Sequence, residues 1–205
     1  MQANHGLVLG GLISGVSGAI LAGGASRRMG RNKALLPWKG GTVIETVVSL
    51  MKGIFGEVLL VAGDPEPYRF LDLPVARDSA PGLGPLGGLE AALRVAVNPR
   101  VFVVGCDMPF LDDDLIRYMA SLPPAPVVVP VVGGRPEPLH ALYHRDDLPL
   151  IQRLLTQGER RVQALLAGVE AKLVTEEEIR RFIDPGRAFA NLNRPEDYER
   201  AREET

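Results

Sequence analysis

The sequence predicts an α/β domain, a mostly parallel β-sheet flanked by helices on both faces. Three observations carry that expectation. Apolar runs of strand length alternate with segments whose apolar residues recur at helical spacing. The run Val101-Phe102-Val103-Val104 is apolar without interruption, as a strand buried on both faces would be. No linker, repeat or low-complexity stretch divides the 205 residues, a length that suits one core.

Strands are expected over residues 18–22, 57–62, 101–106 and 127–132, the last interrupted by Pro130, with a strand-like segment over 139–143. Helices are expected over 42–55, 86–97, 112–122, 146–156, 160–167 and 195–204. In the first, Val43, Val47, Leu50, Met51 and Ile54 share a face; in the second, Leu89, Ala92, Leu93 and Ala96 do. The third opens on an acidic turn that suits a helix N-terminus and carries Leu115, Ile116 and Met119. Residues 7–22 are uncharged, but no Lys or Arg precedes them as in a signal peptide. They also fall short of the roughly 20 apolar residues that span a bilayer. The expected organisation is a loose N-terminal extension over 1–16 and one domain over 17–205, with no membrane segment.

With 46% hydrophobic and 23% charged residues the chain is globular. A net charge of −2 gives no electrostatic reason to bind nucleic acid, and a 5% aromatic share offers few stacking platforms. The single cysteine, Cys106, excludes an internal disulfide and suits a reducing, cytoplasmic location.

Ligands of open α/β sheets bind beyond the carboxyl ends of the strands, so the loops there matter most. The first is residues 23–33. Gly23 and Gly24 let backbone amides approach an anion, and Arg27, Arg28, Arg31 and Lys33 add positive charge. It is not a P-loop, because Lys33 follows Asn32 rather than glycine. A plain turn would explain glycines or cations separately; both together after a buried strand point to phosphate.

The second loop, Gly82-Leu83-Gly84-Pro85-Leu86-Gly87, formally fits G-x-G-x-x-G, and Asp107 lies where a dinucleotide site wants an acid. The stretch before it is too short and polar for a central first strand, so a ligand-approaching loop that opens a helix is the better reading. The third, Gly105-Cys106-Asp107-Met108-Pro109, sets a carboxylate just past a buried strand. Such a group can hold Mg²⁺ together with substrate phosphates, or cap the following turn. No base accompanies Cys106, which reads as a buried thiol. Asp78 is placed to reach a nucleotide or to serve a turn. His140 and His144 share a strand face with no third ligand for zinc.

Leu21-Ala22-Gly23-Gly24, Arg28-Met29-Gly30 and Lys33 resemble the signature loop of nucleotidyltransferases. Asp78, Gly84-Pro85-Leu86-Gly87-Gly88, Cys106-Asp107-Met108-Pro109, Gly158-Glu159-Arg160-Arg161-Val162 and Asn191-Leu192-Asn193-Arg194-Pro195-Glu196-Asp197 extend the match. The ordered set resembles the molybdenum cofactor guanylyltransferase family over nearly the whole chain from Ala19. The resemblance implies a single Rossmann-like domain of the nucleotide-diphospho-sugar transferase kind. It implies transfer of GMP from GTP to the terminal phosphate of molybdenum-molybdopterin, with release of pyrophosphate. By matched position, Leu21, Ala22, Gly23 and Gly24 would contact the nucleotide, as would Asp78. Lys33 would hold the phosphates with Arg28 assisting, and Asp107 would bind GTP and Mg²⁺.

Donors for a phosphorylated pterin are sought among Arg135, Arg160, Arg161, Asn191 and Asn193, each with a surface or turn role as the alternative. Further partners implied are molybdenum-insertion and molybdoenzyme maturation proteins. Leu-Ala-Gly-Gly rather than Leu-Ala-Ala-Gly resembles the guanylyl branch. Two departures stand out: Asn32 where the family usually has Asp, and Gly63 where many members place a polar side chain. A cytidylyl- or sugar-nucleotidyltransferase, and a non-catalytic nucleotide-binding protein that delivers cofactor, are the rival readings.

Overall fold

The structure is a computed structural model that describes residues 11–22, 32–77, 82–192 and 195–203. Its strands are β1 (Val16–Leu21), β2 (Pro37–Trp38), β3 (Gly41–Thr42), β4 (Val58–Val61) and β5 (Val75–Ala76), then β6 (Arg100–Gly105), β7 (Val127–Val132), β8 (Arg135–Pro136), β9 (His140–His144) and β10 (Ala171–Val174). Its helices are α1 (Val43–Ile54), α2 (Gly84–Val95), α3 (Asp113–Ser121), α4 (Leu148–Thr156), α5 (Gln163–Leu166), α6 (Glu176–Ile179), α7 (Pro185–Ala188) and α8 (Pro195–Glu203). None of these helices is long and apolar enough to cross a membrane.

The main sheet runs β5-β4-β1-β6-β9-β7-β10, with β8 paired to β7, while β2 and β3 form a separate ribbon. β1 pairs in parallel with both β4 and β6, and β4 with β5. β9 breaks the pattern, lying antiparallel to both β6 and β7. The expectation of a mostly parallel, helix-covered sheet is therefore met, with one reversed strand inside it. The reversal follows from a tight turn: Gly133 and Gly134, with φ of 56° and 72°, send β7 back into β8. From there the chain re-enters the sheet as β9.

Period-two alternation divides each central strand between two cores. Ile20, Leu60, Phe102 and Val104 meet Ile44, Met51, Leu115 and Met119 from α1 and α3. Ala19, Leu59, Val61, Val101 and Val103 meet Leu89, Leu93, Ile151 and Leu165 from α2, α4 and α5. Helix bounds differ from expectation mainly at 160–167, where only Gln163–Leu166 is helical. Residues 11–16, assigned from sequence to the extension, are docked instead: the Ile13 amide donates to the Ile54 carbonyl at 2.7 Å, and Arg117 donates to the Gly11 carbonyl at 2.6 Å.

α1 starts at a capping box. The Thr42 amide donates to Glu45 Oε2 at 2.7 Å, and the Glu45 amide to Thr42 Oγ1 at 3.4 Å. Thr42→Ala is expected to cost about 1 kcal/mol, read as a shift in the urea midpoint at unchanged slope.

His140 sits in the interior of the sheet. It is fully buried, edge-on to Phe102 at 5.3 Å and Phe189 at 4.9 Å, and neither ring nitrogen has a hydrogen-bond partner among the described residues. Burial lowers its pKa from the ordinary 6.5 to about 3. An unfolded chain takes up this proton from pH 6.5 downward and the folded chain does not, so stability falls with pH between 6.5 and 3. The slope is about 1.4 kcal/mol per pH unit. His140→Phe is expected to shrink the stability difference between pH 7 and pH 5 by about 2 kcal/mol, measured by urea unfolding at both values. An unchanged difference would refute the assignment.

Candidate nucleotide site

Two adjacent strand ends create the site. β1 leads towards β4 on one side while β6 lies on the other, so connections diverge and leave a crevice at their carboxyl ends. The Cys106 amide donates to the Leu21 carbonyl at 3.1 Å, tying the two ends together, and the Ala22 amide donates to the Val61 carbonyl at 2.8 Å. The cleft there has a volume of about 770 Å³ and is walled by Leu21, Ala22, Asn32, Lys33, Gly63, Tyr68, Gly82, Gly84, Pro85, Cys106 and Asp107. That volume lies in the range of small-molecule pockets.

Lys33 opens a short 3₁₀ turn, Lys33–Leu35, whose N-cap is Asn32. Its charge reaches Asp107, the half-buried carboxylate past β6. Burial pushes the Asp107 carboxyl above its usual range, and Lys33 draws it only partly back. Burial, reinforced by Asp107, also pushes the Cys106 thiol up to about 12, which keeps it protonated and unfit as a nucleophile. Among the described residues no three His, Cys, Asp or Glu side chains gather to hold a metal by themselves. A half-buried carboxylate in the cleft wall without such a cluster fits an ion that keeps phosphate or water as its other ligands.

The second glycine loop flanks the cleft and starts α2 at Gly84, two residues earlier than expected. Gly84 has φ +65°, and a Cβ there would lie 3.0 Å from the Arg160 carbonyl. Any side chain would push that loop away from the cleft wall. The carbonyl in turn accepts the Leu86 amide at 3.1 Å, so residue 160 braces the loop.

The remaining expected residues divide clearly. The Leu192 amide donates to the Asp107 carbonyl at 3.1 Å, which brings the Asn191-Leu192 segment onto the carboxylate loop. Asn191 itself donates to the Phe189 carbonyl at 3.2 Å. The Arg160 guanidinium is occupied by the Leu155 and Glu159 carbonyls, at 3.2 and 2.8 Å. Arg161 grips the Glu159 carboxylate with contacts of 3.2 Å from both Nε and Nη2. Neither arginine lines the cleft. Arg135 is exposed beside the Gly133-Gly134 turn, at the same edge of the sheet but outside the cleft wall. Gly23, Gly24, Arg28, Asp78 and Asn193 lie outside the described residues. Tyr68 was not anticipated: a lone tyrosine after Pro65-Glu66-Pro67 carries no sequence signal for a site.

Comparison with known proteins agrees with this geometry. The chain is 39% identical over 183 residues to a protein named probable molybdenum cofactor guanylyltransferase in Carboxydothermus hydrogenoformans, covering 89% of this chain and 92% of that one. It is 35% identical over 189 residues to the molybdenum cofactor guanylyltransferase of Syntrophotalea carbinolica, covering 91% and 90%. Its fold matches the crystal structure of molybdopterin-guanine dinucleotide biosynthesis protein A from Archaeoglobus fulgidus with a TM-score of 0.79 at 26% identity, over 91% of this chain and 97% of that one. The MobA-like NTP transferase domain model matches residues 18–174, from the strand before the glycines to the end of β10. The chain belongs to the MobA-like NTP transferase family.

Proposed function

We propose that the protein transfers GMP from GTP to the terminal phosphate of molybdenum-molybdopterin, as the names of its relatives suggest. The observation that carries the reading is that Lys33 and the half-buried Asp107 share the wall of a nucleotide-sized cleft, where the lysine charge draws the carboxyl down. In the reaction an acceptor phosphate oxygen bonds to the α-phosphorus of GTP. The bond from that phosphorus to the bridging oxygen breaks, and pyrophosphate leaves with the electron pair. Such a displacement needs alignment and charge neutralisation rather than a protein nucleophile, in keeping with the protonated Cys106 thiol.

Leu21, Ala22, Gly23 and Gly24 line the nucleotide, Asp78 contacts it, and Lys33 with Arg28 neutralises its phosphates. Asp107 would hold Mg²⁺, which supplies Lewis-acid charge stabilisation at the phosphates when bound. On the acceptor side, the contact of Leu192 with Asp107 favours Asn191 and Asn193 as pterin contacts, with Arg135 further out along the edge. The engaged guanidiniums of Arg160 and Arg161 suit bracing rather than ligand binding. A cytoplasmic location, and hand-over to molybdenum-insertion and molybdoenzyme maturation proteins, accompany this reading.

The test is incubation with molybdopterin, Mg²⁺ and either GTP or CTP. Pyrophosphate release with GTP is expected. Release with CTP alone would reassign the protein to a cytidylyl branch, and nucleotide binding without release would favour the cofactor-delivery reading.

A further inference from the structure

Asn32 uses both ends of its amide. The Ala34 amide lies 3.2 Å from Asn32 Oδ1 and can only donate, so the carboxamide oxygen faces it. The nitrogen Nδ2 therefore faces Tyr68 and donates to its Oη at 2.9 Å. An amide nitrogen accepts nothing, so the hydroxyl proton of Tyr68 must point elsewhere. No second partner for that hydroxyl exists among the described residues.

Tyr68 is 6% exposed, held by the 3₁₀ turn Glu66–Leu71, and it forms part of the cleft wall with Asn32, Lys33 and Asp107. Its hydroxyl feels the neighbouring Cys106 and Asp64, and burial raises its pKa, so the proton stays on. A hydroxyl proton left unspent by the protein at the cleft wall is available to water or to a ligand that replaces it. An ionised Asp at position 32 could only accept; Tyr68 would then donate to it and its proton would be used up.

We propose that the Tyr68 hydroxyl binds substrate by donating its proton to a phosphoryl oxygen of the nucleotide. Asn32 is the positioning residue that keeps that proton available while capping the turn of Lys33. The inference rests on the reading of the cleft as a GTP site.

The test is calorimetric titration of GTP with Mg²⁺ into the parent, Tyr68→Phe and Asn32→Asp proteins, with thermal melts alongside. Tyr68→Phe keeps the ring and removes the hydroxyl, both its proton and its acceptance from Asn32; Asn32→Asp keeps the link but reverses it. Both are expected to raise the Kd for GTP about tenfold (about 1.4 kcal/mol) with melting temperatures close to the parent's. The loss in Asn32→Asp also contains repulsion between its half-buried charge and the phosphates, which salt screens little, so the uncharged Tyr68→Phe change is the deciding one. A Kd for Tyr68→Phe within about twofold of the parent, about 0.4 kcal/mol, overturns the proposal. So does a loss in Tyr68→Phe with parental binding in Asn32→Asp, since the link alone would then explain it. If the parent binds no GTP, the functional reading falls and the Tyr68 assignment with it; a parent that binds GTP leaves only Tyr68 at stake.

Discussion

Asp107→Asn is expected to lower kcat/KM for nucleotidyl transfer by on the order of 10³-fold while leaving the melting temperature equal to or above the parent's. The two halves have one cause. Burial disfavours the charged Asp107 carboxyl more than Lys33 favours it, so the folded protein holds that charge at a cost. An isosteric neutral amide removes the cost and also the ligand for a cation and the anchor for Lys33. The sign for pH follows: a carboxyl whose folded pKa is raised protonates earlier than in the unfolded chain. Its burial penalty is thus present at neutral pH and relieved as pH falls through the raised value. Pyrophosphate-release kinetics and a thermal melt on the same preparation check both halves. Activity within tenfold of the parent would remove Asp107 from the reaction.

Lys33→Met is expected to lower kcat/KM by on the order of 10²-fold. Methionine keeps the length and packing of the stem and removes the charge. A second signature separates a phosphate-facing cation from a merely structural one. Lys33 is the group that draws the Asp107 carboxyl down, so its removal lets that carboxyl rise further. The acid limb of the kcat/KM profile should then move to higher pH in the variant. A parental rate with an unmoved limb would show that Lys33 does not act at the site.

The central sheet was legible because burial and periodicity agree there. Val101-Phe102-Val103-Val104 is apolar on both sides since helices cover both faces, and the spacing of Val43, Val47, Leu50, Met51 and Ile54 matches the face that α1 buries. Strand direction was not legible. Residues 139–143 read as strand-like, but the reversal of that strand depends on the Gly133-Gly134 turn and on pairing with β6 and β7. β10 escaped notice because Lys172 and Leu173 are exposed, so a sheet edge looks like a loop. At the site, Lys33 and Asp107 were legible through their place after buried strands. Arg160 looked like a ligand donor because sequence shows a cation and hides the Leu155 and Glu159 carbonyls that occupy it. Tyr68 was invisible for the converse reason: its meaning lies in a hydrogen bond to a residue 36 positions away.

The Leu192 contact has a consequence in time. Asp107 and Leu192 are separated by 85 residues, so at about 5–20 residues per second the ribosome needs on the order of 4–17 seconds between them. During that interval β1, α1, β4, α2 and β6 are already synthesised, but the amide that secures the carboxylate loop is not. A nascent chain therefore owns the half of the cleft built on β1 and β4 before it owns a settled Asp107. The carboxylate loop is thus completed only once residue 192 has been made.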